Sequence, residues 1–378
     1  MPADSRAQAA PSGDSEAVAR LAAELVAIDS RSFLSNLPIA ERIETELAGF
    51  EIERLDYTDA NGVAKRALVA HRGPKGGYAL SGHMDTVPDT GWEANPWEPR
   101  IDADGVLHGL GSVDMKGAVA ACIQAAKAVP GHVPATLLLT TDEETTKAGA
   151  RAVAGSALAR SLGLQGIVVA EPTGLVPVRG HRASVNFTAV ARGVQAHSST
   201  GRGRNANWAL IPFLAEMKQV FERLRHDPAL QDPAYDPPFA DFNLVLDNHG
   251  TAVNVNVPLA TCRIKFRHSR KLDPEPILAT VRGAAERAGI ELAITTEGAP
   301  PELPADHPLI RLATELTGKP ATTVPFGTDA SELQALAPCV VLGPGEIGTA
   351  HTPRECVALA DLAAAVGIFG RILERGAP

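Results

Sequence analysis

Between Ala67 and Thr173 the chain alternates short apolar runs with helical patterns, reading ALVAH, GYALSGH, MKGAVAACIQAAKAV, ATLLLTTDEE, GARAVAGSALARSLG and GIVVAEPTG. No other feature constrains the fold as tightly. Strand-length runs separated by helices build βαβ units, and these require an α/β domain with a mostly parallel sheet and helices on both faces. The same rhythm returns late, with APCVVLGPG near residue 340 and the closing helical pattern VALADLAAAVGIFGRIL. Both ends of the chain, 1–177 and 299–378, are therefore expected to build one catalytic domain.

The middle of the chain follows a different period. SVNFTAVARG alternates as a half-exposed strand, and NANWALIPFLAEMKQVFERL places Trp208, Ile211, Leu214, Met217, Phe221 and Leu224 at helical spacing. FNLVLDN and TCRIKFRHS read as strands, followed by a helix from near Asp273 and the strand ELAITT. The order β-α-β-β-α-β is that of a ferredoxin-like (split βαβ) domain, expected as an insertion over 178–298. Two domains also suit a chain of 378 residues, which exceeds the size at which one core usually stops growing. The first dozen residues lean to Ala, Ser and Pro and are expected to be disordered.

Composition removes several function classes. A net charge of −9 argues against an extended nucleic-acid surface, which needs clustered Lys and Arg. No stretch approaches the roughly 20 apolar residues of a membrane-spanning helix. The N-terminal stretch lacks a basic segment followed by an apolar one, so a cytoplasmic protein is expected. Cys122, Cys262, Cys339 and Cys356 form no CxxC pair, which indicates neither a disulfide framework nor a thiolate zinc site.

The polar residues that close the apolar runs carry the chemistry. His83 and Asp85 follow YAL, Glu143 and Glu144 follow ATLLLTTD, Glu171 follows GIVVA, and His351 follows VVLGPGEIGTA. In an open parallel sheet the carboxyl ends of the strands face one crevice, so these residues are expected to converge. Asp114 joins them from a Gly-rich turn leading into a helix. Singly, each has an ordinary explanation: a strand-end histidine is usually a hydrogen-bonded rim group, and Asp114 alone reads as a helix N-cap. Neighbouring carboxylates at a buried strand end, however, repel one another unless a cation compensates. His83, Asp114, Glu144, Glu171 and His351 form a mixed N/O donor set suited to Zn2+, with Co2+ or Mn2+ as substitutes. Five ligands exceed the needs of one tetrahedral catalytic zinc, whereas two ions about 3.5–4 Å apart sharing one carboxylate would use them all.

The motifs GHMDTVP, GLGSVDMKGA, TTDEETTKAGA, VVAEPTG and GPGEIGTAH, in this order, resemble the co-catalytic dinuclear zinc deacylase and exopeptidase family of the acetylornithine deacetylase and succinyl-diaminopimelate desuccinylase type. The resemblance runs from about Leu21 to the C-terminus. It implies that His83 and Glu171 hold one metal, Glu144 and His351 the other, and that Asp114 bridges them. It makes Glu143 the general base and Asp85 the residue that fixes the tautomer of His83. The inserted segment resembles the family's lid and dimerisation domain, with His197 reaching the partner's site in a homodimer and Arg267 holding a substrate carboxylate. For the family's substrate-facing asparagine, Asn254 and Asn256 are both candidates, Asn254 being preferred, since a one-residue strand shift exchanges their faces. Gly327 and Thr328 fit a substrate-side loop that Asp329 braces.

The expected activity is therefore two-metal removal of a small acyl group from an N-acyl amino acid, N2-acetylornithine first. Succinyl-diaminopimelate desuccinylase, and an aminoacylase or dipeptide exopeptidase, are the alternatives the same motifs allow. A non-catalytic amino-acid-binding protein on this scaffold should have lost a ligand or the base, and none is missing here.

Overall fold

The buried runs form the centre of an eight-stranded sheet. In the computed structural model, which describes residues 13–377, the strands Ala135–Thr140, Tyr78–His83, Gly166–Val169 and Cys339–Val341 lie side by side and parallel. The disorder expected of the first dozen residues falls outside the described residues. Antiparallel wings flank this parallel centre. The hairpin Glu51–Thr58 and Ala64–Arg72 pairs onto Ala135–Thr140, and Val178–His181 pairs onto Cys339–Val341. The hairpin's turn is too short for a crossover, so its strands can only be antiparallel.

Alternate residues of the central strands enter different layers. Leu137, Leu139, Val168 and Val340 join the core of the helices Gly13–Val26, Lys116–Ala128 and Leu359–Arg375. Leu138, Ile167 and Val169 are equally buried but lie outside that cluster, on the opposite face. There the helix Ala148–Gly155 packs on the strands Ala64–Arg72 and Ala135–Thr140. The helical pattern GARAVAGSALARSLG is broken at Ser156, whose extended backbone and hydroxyl cap a second helix, Ala157–Leu162, by accepting the N–H of Ala159. The helix Lys116–Ala128 approaches the strand Tyr78–His83 so closely that a Cβ at Gly82 would lie 2.8 Å from Val119. This glycine brings the neighbouring His83 down beside the turn that carries Asp114.

Gly180–Glu302 together with Thr323–Gly327 form a second compact unit. Its sheet runs in the order Asp241–Asp247, Leu259–His268, Ala183–Arg192, Glu291–Thr296, every pair antiparallel. The helices Asn207–His226 and Glu275–Ala288 pack together against it around Phe187, Phe213, Ile264 and Val281. This is the ferredoxin-like arrangement. Val178 itself pairs with Val341 of the large sheet, so the excursion starts two residues later than the period change at 178 indicates. Among the described residues no helix is long and apolar enough to cross a membrane. All four cysteines are free thiols.

Candidate metal centre

Four strand ends and one turn deliver the acidic and histidine residues of the large unit. His83 ends the strand Tyr78–His83, Glu143 and Glu144 lie in the turn after Ala135–Thr140, and Glu171 follows Gly166–Val169. His351 sits beyond Cys339–Val341 with a left-handed backbone, φ 59°. Asp114 precedes the helix Lys116–Ala128 but does not cap it; the N-cap is Met115, and the Asp114 carboxylate turns to the histidines instead.

The contacts sort into two groups that share Asp114. On one side His83 Nε2 lies 3.0 Å from Asp114 Oδ1 and 4.0 Å from Glu171 Oε1. On the other, His351 Nε2 lies 3.1 Å from Asp114 Oδ2 and 3.0 Å from Glu144 Oε1. The two carboxylate oxygens of Asp114 thus face different histidines. His83, Asp114 and Glu144 also each offer an atom within 4.8 Å of the others, as one metal ion requires.

Electrostatics shows why this cluster asks for cations. Burial, reinforced by Asp114, pushes the Glu144 carboxyl up to about 7. Burial and the Asp114 charge likewise hold Glu171 well above the usual carboxyl range. Asp114 goes the other way, because contacts with His351 and His83 outweigh its burial and keep it ionised. The carboxylates Asp114 and Glu144 in turn raise His351 to about 11. Buried acids that cannot all ionise alone, interleaved with imidazoles at ligand distances, fit a divalent-metal site.

Asp85 supports the cluster from behind. The His83 Nδ1 lies 3.0 Å from the backbone carbonyl of Asp85 and 3.5 Å from its carboxylate, so the main chain shares in fixing the ring, where the side chain alone was expected to act. The carboxylate accepts the Ser32 hydroxyl at 2.7 Å and the backbone N–H groups of Glu143 and Glu144 at 3.3 and 3.4 Å. Glu143 is held above its usual value by burial, which Lys147 at 3.5 Å opposes.

The remaining expected residues vary in placement. Thr328 is fully buried and its hydroxyl accepts the Ala330 N–H at 3.1 Å, while its carbonyl accepts Lys147 Nζ at 2.8 Å. The hydroxyl thus helps to shape the turn of the loop in which Thr328 was expected. Asp329 does brace the loop, accepting the Thr140 hydroxyl. In the smaller unit Gly327 is half-buried and His197 is exposed, with Nδ1 of the histidine engaged by Ser199. Arg267 pairs with Asp241. Asn254 and Asn256 lie in a loop rather than a strand, held by the bridge between His197 and Val255. The Asn256 side chain packs against Gly203 and that of Asn254 is exposed.

Two supporting carboxylate contacts were not legible in the motifs. Glu355 Oε1 accepts the backbone N–H groups of Val113 and Asp114 at 3.1 and 3.0 Å, more than 240 residues along the chain. Asp142 pairs with Lys65 and Tyr57, a contact developed below. A conspicuous signal existed only for Asp142, which adjoins the two glutamates.

Comparison with known proteins shows the family. The family described as peptidase family M20/M25/M40 matches residues 79–375. An acetylornithine deacetylase of Myxococcus xanthus is 33% identical over 370 residues, covering 92% of this chain and 94% of that protein. An M20 family metallo-carboxypeptidase of Sulfolobus solfataricus superposes with a TM-score of 0.74 at 15% identity, covering 94% of this chain and 98% of that one. A dinuclear metal-binding peptidase of the M20 family from Bacillus subtilis does so with a TM-score of 0.62 at 15% identity, covering 95% and 97%. The chain belongs to the peptidase family M20/M25/M40 and is a metal-dependent hydrolase.

Proposed function

We propose that this hydrolase holds two metal ions, Zn2+ first, and removes a small acyl group from an N-acyl amino acid. N2-acetylornithine is the leading substrate, with acetylcitrulline a near relative. The observation that carries the two-metal reading is the division of Asp114 between His83 and His351, one oxygen to each. His83 and Glu171 complete one ligand set, Glu144 and His351 the other. The substrate reading rests on relatives named acetylornithine deacetylase, the second of them, from Proteus mirabilis, 32% identical over 360 residues.

Bound there, the ions supply Lewis acidity toward water and the amide carbonyl. Glu143 accepts a proton from the attacking water and delivers it to the amide nitrogen as the C–N bond breaks, releasing acetate and the free amino acid. Arg267 holds the substrate carboxylate, for which its planar donors suit, in exchange for its pairing with Asp241. Asn254, exposed beside His197, and the backbone of Gly327 and Thr328 complete the substrate contacts.

His197 acts at the site of a second copy, in a homodimer formed through the smaller unit. The edge strand Asp241–Asp247 exposes Val245 and Leu246 on its two faces, and the helix Asn207–His226 exposes Trp208 to 73%, single apolar side chains of the kind that association buries. Light scattering is expected to report a dimer, and a fully active monomer would remove the role given to His197. A panel of N-acetyl, N-succinyl and dipeptide substrates, with added Zn2+ or Co2+, tests specificity. Acetylornithine is expected to show the highest kcat/KM, whereas preference for succinyl-diaminopimelate or a dipeptide would transfer the assignment to that activity.

A further inference from the structure

The turn that carries Glu143 and Glu144 starts from an unusual residue. Asp142 has a left-handed backbone, φ 61°, and its carbonyl accepts the N–H groups of Thr146 at 3.0 Å and Lys147 at 2.7 Å. The turn ends on a second left-handed residue, Lys147, φ 57°. Non-glycine residues hold such conformations only where their surroundings impose them.

Here the surroundings are a buried lysine and a tyrosine. Lys65 Nζ lies 2.8 Å from Asp142 Oδ1, with side-chain exposures of 0% and 3%, and the Tyr57 hydroxyl donates to Oδ2 at 2.7 Å. The same ammonium donates to the carbonyls of Ser32 at 2.6 Å and Leu34 at 2.8 Å. The ammonium thus donates to two carbonyls and meets the Asp142 carboxylate as a buried ion pair. Ser32 in turn donates to Asp85, the carboxylate that accepts the backbone N–H groups of Glu143 and Glu144. Lys65 thus stands behind both supports of the acidic turn: Asp142 directly, and Asp85 by way of Ser32. It touches neither glutamate.

A buried ion pair is poor evidence for a stabilising role, since apolar replacements of similar size are often neutral or better. The connectivity gives this pair another use. We propose that Lys65, with Tyr57 and Asp142, is a positioning group of the hydrolase: it sets the turn from which Glu143 meets the attacking water and Glu144 holds its metal. This rests on the two-metal reading above.

The test uses the full chain in three forms: the native protein, the single variant Y57F, and the double variant K65M/D142N, which removes both buried charges together. Thermal unfolding, steady-state kinetics and Co2+ titration of chelator-treated protein, followed by visible absorption, are measured on each. The double variant is expected to keep a cooperative transition near that of the native protein. Its kcat should fall by about tenfold to a hundredfold, the range for groups that support ligands, with KM changed by no more than about threefold. The Co2+ held by Glu144 should bind about tenfold or more weakly, and be weakened more than the other ion, because Glu144 alone among the ligands belongs to the turn. Y57F should shift kcat and this Co2+ the same way by a smaller factor. Folded variants with native kcat and two native Co2+ affinities would overturn the proposal. Should the double variant not fold, Y57F decides alone, and native behaviour in it is the overturning result. A native protein that binds only one Co2+ would instead remove the two-metal reading, a separate and recognisable failure.

Discussion

The glutamine variant of Glu143 is expected to lose about 10²–10⁴-fold in kcat, the usual contribution of a positioned proton carrier, while still binding two equivalents of metal. Glutamine preserves the shape of the side chain but accepts no proton from water and has none to give the leaving amine. Glu143 is absent from both ligand groups around Asp114, and its nearest charged partner is Lys147 at 3.5 Å, so its neutralisation leaves the ion-binding atoms in place. KM should change little, because the lost interaction belongs to the transition state. Amine release measured with a ninhydrin-type assay, beside metal content by elemental analysis, separates the two effects. Near-native turnover with full metal would show that another group carries the proton.

Replacing Asp114 by asparagine should be more damaging, and differently so. Asn offers one neutral oxygen where the carboxylate offers two charged ones, so neither the His83 side nor the His351 side retains an anionic bridge. Affinity for both ions is expected to fall by more than the about 10–100-fold typical of a supporting group, and turnover at least as far as in the Glu143 variant. Glu144→Gln, by contrast, touches only the His351 side and should weaken one ion alone. Calorimetric titration with Zn2+ distinguishes these outcomes. A second readout is thermal: the native protein should gain melting temperature with added Zn2+, since a ligand bound only by the folded state stabilises it, and the Asp114 variant should lose that gain. Two ions bound with native affinity by the asparagine variant would refute the bridging role.

Much of this site could be read from the chain because strand ends carry positional information. An apolar run followed by His83, Glu143 and Glu144, or Glu171 is a buried strand emptying into the sheet's crevice, and the parallel centre of the sheet places those ends side by side. The supports were harder to see. Lys65 occurs in AKRALVAHR, where a charged residue at the start of a strand reads as solvent-facing, yet its ammonium is fully buried against Asp142. Glu355 reads as an acid in a polar loop, and only the fold turns its carboxylate onto the Asp114 peptide. The choice between Asn254 and Asn256 turns on a strand register in the sequence, whereas the structure has a loop there. Thr328 lies in a motif that fits a substrate loop, and only the fold shows that its side chain is buried and accepts the Ala330 N–H.

The chain's periodicities by themselves determine the α/β sheet, the change of architecture in the middle, and the set of residues at the strand ends, because burial patterns and strand ends are local properties of a sequence. Which oxygen of Asp114 faces which histidine, and which lysine stands behind the acidic turn, was decided only by tertiary structure. These are contacts between groups separated by tens to hundreds of residues, and hydrogen-bond and ligand geometry is selective at a few tenths of an ångström, a precision that no spacing along the chain encodes.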